Sequence, residues 1–153
     1  MGEIRWKNFA KQNIQTAYIR ATKGTTFEDG AFRDNWNGSK DTDITVGAYH
    51  VLELDTDGTK QAEHFIKAVG EDLSGRLIPA VEVRLRGLYR LLPPDYYDAA
   101  DNLADFCDKI EEQYGVRPII YCTERTYKNI VAADSRFDKD KICLLYTSDA
   151  ADD

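Results

Sequence analysis

The chain has 153 residues, a net charge of -7, and 31% charged, 42% hydrophobic and 11% aromatic residues. It is too apolar and aromatic for a disordered tail, and no window approaches the run of about 18 apolar residues that a membrane helix needs. With 20 basic against 27 acidic residues, no basic field favours a nucleic-acid partner. The length suits one domain with its own core, or a piece of a larger one.

In chain order, residues 5–13 are predicted to be helical, with Trp6, Phe9 and Ala10 on one face. TAYIRAT (16–22) reads as a strand rich in β-branched and aromatic residues. Phe32 and Trp36 stand four apart on a helix that ends near Asn37-Gly38. ITVGAYHVL (44–52) is a nearly continuous apolar strand, as in a sheet covered on both faces. Asp55 and Asp57 lie in DTDG and suit a turn far better than a calcium loop. The next helix carries Ala62, Phe65, Ile66 and Val69 and stops near Gly70.

LIPAVEV (77–83) is the following strand, and GLYRLLPPD a loop leading into the longest helix. That helix has Ala100, Leu103, Cys107, Ile110 and Tyr114 on one face and Gly115 as its stop. RPIIYC (117–122) is another strand, and 124–131 a short helix. Strands alternating with helices across short connections mean an α/β fold with mainly parallel strands. Four strand–helix units allow an open sheet but not a closed (β/α)8 barrel. Trp6, Phe9, Phe32 and Trp36, at helical spacing, are expected in the core rather than as sugar platforms. Cys107, Cys122 and Cys143 show no CxxC or Cys/His spacing, which favours small buried hydrophobes over a zinc site or a disulfide framework. No cofactor and no metal are expected. The N-terminal MGEIRWKNFAKQ has no apolar h-region, so no secretory signal is visible.

The last eleven residues, CLLYTSDAADD (143–153), break the pattern. They resemble a translated reading frame of a transposase adapter used to prepare sequencing libraries. On that expectation 143–153 is a non-native tail to be kept out of fold reasoning. Residues 1–142 are then the native part, and without Asp149, Asp152 and Asp153 the net charge is -4 instead of -7.

AYIRATKGTTFED, then VGAYHVL, then LIPAVEV, then GVRPIIYCT resemble, in order and spacing, the glycoside hydrolase family 25 lysozymes, muramidases of bacteria and their phages. In that family a strand ending in K-A-T-E-G-x-x-x-x-D precedes G-A-Y-H-F, followed by P-x-x-D-x-E and P-I-I-Y-T. The resemblance covers residues 2 to 142. It implies a partial (β/α)8-type barrel, with the first strand and later strands missing. The family's first strand bears an active-site Asp, and only the G-x-I-D-W end of that stretch has a counterpart here, in Gly2-Glu3-Ile4-Arg5-Trp6.

Glycosidic cleavage needs an acid for the leaving oxygen and a second group as nucleophile, base or stabiliser. A D-x-E at a strand's C-terminal end supplies two carboxylates on one face, because side chains alternate with period two. Here Glu82 stands at the family's Asp and Arg84 at its proposed acid Glu. Arginine stays charged and donates no proton usefully. Arg84 would lie about 7 Å along the strand from Glu82 on the same face and could pair with it. The acid could then come from Glu53 or Glu124 at other strand ends. Otherwise the pair only holds the pocket or binds sugar, with Arg84 contacting carboxyl or N-acetyl groups.

By resemblance Tyr49, His50 and Tyr121 lie by the cleft as sugar-contacting or carboxylate-orienting groups; the plainer reading is core packing. Arg20 and Lys23, where the family often has Lys and Glu, suit simple barrel-end pairs. The resemblance implies a glycosidase that cleaves the N-acetylmuramic acid to N-acetylglucosamine β-1,4 bond. Its partner would be peptidoglycan glycan strands, its setting secreted, cell-wall-associated or phage lytic, and its full-length form a monomer. The expected activity of this chain is weak or absent. The alternative is a peptidoglycan-binding pseudoenzyme that lost its acid. An unrelated α/β binding domain with no unpaired edge beside TAYIRAT or RPIIYC is a third reading.

Overall fold

The computed structural model describes residues 2–145. A six-stranded sheet organises the chain. Its strands are β1 (Thr16–Lys23), β2 (Phe27–Glu28), β3 (Thr45–Val51), β4 (Ala80–Val83), β5 (Ile119–Cys122) and β6 (Ile142–Leu144). Their spatial order is β2-β1-β3-β4-β5-β6. Every pairing is parallel except the short β1–β2 hairpin. Helices α1 (Trp6–Ala10), α2 (Phe32–Gly38), α3 (Gly58–Val69), α4 (Tyr96–Tyr114) and α5 (Glu124–Thr126) occupy the connections. This is the α/β fold with mainly parallel strands that the sequence pattern predicts. RPIIYC is not an edge: β5 is paired with β4 on one side and β6 on the other.

The helix ends follow from local chemistry. Asp57 caps α3 by accepting from the Lys60 N–H at 3.0 Å. Asp95 caps α4 through the N–H groups of Tyr97 (2.8 Å) and Asp98 (3.3 Å). Gly115 ends α4 at φ 75°, the left-handed conformation glycine adopts without a Cβ penalty.

Three boundaries differ from the sequence reading. The first helix stops at Ala10 rather than 13, because the chain turns to a left-handed Asn13 at φ 59°. The strand expected over 77–83 is regular only from Ala80, since Pro79 has no N–H to give the ladder. The helix expected over 124–131 is one α-turn, capped by the Thr123–Thr126 box, followed by a π-turn over Tyr127–Val131.

One face of the sheet is covered by helices. Ile19, Ala21, Val46, Ala48, Val81, Val83, Ile120 and Cys122 point into it and are buried. They meet Ala62, Phe65 and Val69 of α3 and Leu103, Phe106, Cys107 and Ile110 of α4. Trp6, Phe32 and Trp36 are buried in the same core, whereas Phe9 is exposed. Cys107 and Cys122 are buried free thiols and Cys143 an exposed one. Of the C-terminal eleven residues, Cys143 and Leu144 belong to β6, opposite Tyr121 and Cys122; residues 146–153 lie outside the described residues. Among the described residues no helix is long and apolar enough to cross a membrane.

Candidate functional site on the open face

Period two separates neighbours in sequence onto opposite faces. Cross-strand registers give the rows of the open face: Arg20 beside Tyr49, Tyr49 beside Ala80, and Val51 beside Glu82 beside Tyr121. Thus Tyr49, Glu82 and Tyr121 come together at the C-terminal ends of the parallel strands, where open α/β sheets and barrels place their ligand sites.

Glu82 is held by two guanidinium groups. Arg86 Nη2 donates a short hydrogen bond to Glu82 Oε2, and Arg84 Nε lies 4.0 Å from Glu82 Oε1. The Glu82–Arg84 pair expected from the sequence is present at this longer distance. Arg84 provides only the longer contact, and the closer partner is Arg86, two residues further along the same alternation. Nε of Arg84 and Nε of Arg86 are both buried without an acceptor.

Tyr49 sits among Glu82, Arg20 and Arg86; its phenol is shifted up, first by burial and then by the Glu82 charge, against the opposing effect of the arginines. Arg20 in turn bonds the buried Asp29 at 3.0 Å, a pair of the simple kind anticipated for that position. Tyr121 packs edge-on against Tyr18, with ring centroids 5.6 Å apart. Tyr18 donates to the Ile78 carbonyl at 2.7 Å, and burial with neighbouring Tyr121 and Cys143 pushes its phenol up to about 12. These phenols stay protonated at neutral pH and act as hydrogen-bond donors and stacking surfaces.

His50 does not face this cleft. It has no accessible surface and points into the helix-covered side. Its ring stacks on Phe106 at 4.9 Å, and its nitrogens meet Thr22 Oγ1 (2.6 Å) and Gln61 Oε1 (2.9 Å). Gln61 Oε1 also accepts from the Glu53 N–H, and its amide donates to the carbonyls of Glu53 and Thr56. The network fits a neutral ring that donates from Nε2 and accepts at Nδ1. Burial pushes His50 down to about 4, against the opposing Gln61 bond. A direct sugar contact is therefore corrected to a buried role: His50 and Gln61 anchor the loop that follows β3.

The substitute acids fare unequally. Glu124 is exposed and bonded to Lys128 at 2.9 Å, which lowers its pKa, the wrong direction for a proton donor at neutral pH. Glu53 takes a 3.3 Å bond from Thr56 Oγ1, on the loop that Gln61 anchors. Among the described residues the carboxyl shifted upward is Asp105, through burial and its acidic neighbours Asp101, Asp108 and Asp57. It lies on α4 and is exposed. Asp55 accepts a bond from Tyr89 of the loop after β4, and Asp57 caps α3. Sequence reasoning missed Arg86, Tyr18 and Gln61. The first two were signalled by alternation, Glu82-x-Arg84-x-Arg86 and Tyr18-x-Arg20, while Gln61 had no local signal.

Comparison with known proteins gives the family. The profile of Glycosyl hydrolases family 25 matches residues 1–145. A family 25 glycosyl hydrolase of Bacillus anthracis superposes with a TM-score of 0.85 at 32% identity, over 94% of this chain and 64% of that one. The autolytic lysozyme of Clostridium acetobutylicum is 32% identical over 85 residues, 55% of this chain and 26% of the relative. Lysozyme M1 of Streptomyces globisporus is 33% identical over 82 residues, 52% of this chain and 28% of the relative. This chain thus spans only part of the length of each. The profile match over nearly the whole chain, together with the close superposition on a family 25 structure, leads to one conclusion: the chain belongs to glycosyl hydrolase family 25.

Proposed function

We propose that this protein engages the glycan strands of peptidoglycan in a family 25 cleft, and that the chain as it stands has little or no muramidase activity. Membership of the family, whose members include lysozymes, supports the substrate. The state of Glu82 supports the loss of cutting. A glycosidase keeps one carboxyl protonated by setting it in an environment unlike that of its partner. At the end of β4 this chain has a carboxylate bonded to Arg86 and, two residues on, an arginine that donates no proton to a leaving oxygen. The reading that Glu53 supplies the acid has less behind it, because Glu53 is tied to the β3 loop. Tyr49 and Tyr121 then line the cleft as sugar contacts, while His50 works from behind.

Purified cell-wall sacculi test both halves of the reading. The chain is expected to cosediment with them without reducing the turbidity of the suspension. Clearing at a rate near that of an active family 25 lysozyme would overturn the loss of activity. Failure to cosediment would overturn the substrate.

A further inference from the structure

Around Glu82 positive charge exceeds negative: Arg20 is matched by Asp29, but Arg84 and Arg86 share the one carboxylate of Glu82. The imbalance is also one of hydrogen bonds. The Nε–H of Arg84 and that of Arg86 are shielded from solvent and meet no acceptor. A buried donor left unmade is costly, and charged donors are the costliest. Glu82 does not relieve this, since it takes only Nη2 from Arg86 and stands 4.0 Å from Arg84 Nε.

We infer that Arg84 and Arg86 form a receptor for a second carboxylate, one carried on the bound glycan. The edge of a guanidinium made by Nε–H and the adjacent Nη–H matches the two oxygens of a carboxylate. The two side chains keep 19% and 36% of their surface exposed. Their terminal torsions can therefore turn that edge toward a ligand lying on the open face. Such a ligand completes the donors that Glu82 leaves open and balances the surplus charge. Tyr49 and Tyr121, half-buried beside Glu82, offer the flanking sugar surface. An arginine in place of a catalytic carboxyl thus changes what the cleft selects, from a bond to be protonated to an acidic sugar to be held. The inference rests on the glycan-binding reading above. The carboxylate has two chemical sources, the lactyl group of N-acetylmuramic acid or a uronic acid.

Isothermal titration of the whole chain with three tetrasaccharides separates these cases: neutral chitotetraose, the N-acetylglucosamine–N-acetylmuramic acid tetrasaccharide with free lactyl carboxyls, and tetragalacturonate. The muramic tetrasaccharide is expected to bind about tenfold or more tighter than chitotetraose. Arg84→Met and Arg86→Met are each expected to remove that preference, read as the ratio of muramic to chitotetraose affinity, with thermal melts confirming that the variants fold. Arg84→Lys, which keeps the charge but not the fork, should restore only part of it. Equal affinity for the neutral and muramic sugars would overturn the carboxylate receptor and leave the glycan reading standing. Tight tetragalacturonate without muramic binding would keep the receptor and overturn peptidoglycan as its source. No binding to any of the three would overturn both.

Discussion

The two faces of the sheet obey opposite rules, and adjacent residues show it. His50 and Tyr49 are neighbours in β3, yet His50 is sealed on the helix side with a partner for each ring nitrogen, while Tyr49 lies among charges on the open side. The helix side balances its polar groups in a tight apolar core. The open side keeps unmatched guanidinium donors. Stability should therefore be most sensitive behind the sheet and binding most sensitive in front of it.

The largest expected effect is behind. Phe106 is fully buried, stacked on His50 and edge-on to Phe65. Phe106→Ala should cost about 3–5 kcal/mol of unfolding free energy, read by urea denaturation. A loss below about 1 kcal/mol would show that this side is not the tight one. Acid should act on the same side. His50 is depressed to about 4 in the fold, against about 6.5 unfolded. Below the unfolded value the unfolded chain binds the extra proton, so stability falls as pH drops from about 6.5 to about 4, by roughly 3 kcal/mol in all. Melting temperatures across that window should show the slope, and His50→Gln should flatten it; an equal slope in the variant would assign the effect to other groups.

A smaller effect is expected where α3 crosses α4. A Cβ on Gly58 would lie 1.8 Å from the Asn102 backbone oxygen, so the helices must separate to admit it. Gly58→Ala should destabilise by about 1–3 kcal/mol, and an unchanged melt would contradict the close crossing. The smallest effect belongs to Glu124. Exposed and, among the described residues, paired with Lys128, it should tolerate Glu124→Gln with no measurable change in melting temperature or sacculus binding. A clear loss of binding would return it to the cleft.

The contrast also explains what was legible in the sequence. Periodicity placed the four longer strands and the two long helices, but the cleft was assigned by resemblance, which grouped Tyr49 and Tyr121 with His50; the alternation of the strand then sends His50 to the opposite face from Tyr49. Arg84 was legible too, and the resemblance sets it at the acid of the D-x-E motif. The partners were not. Gln61 reaches His50 only because α3 packs under β3, and Arg86 reaches Glu82 only because the chain stays extended beyond the end of β4. The π-turn after α5 and the shortened β4 depend on which backbone groups find partners, which periodicity does not encode.

The central claim is that this cleft holds peptidoglycan glycan without cutting it. Counting new reducing termini in purified peptidoglycan, while measuring the protein bound to it in the same tube, tests this most directly. Saturable binding with no rise in reducing termini above a protein-free control is the expected result. Termini that accumulate in proportion to added protein would contradict it.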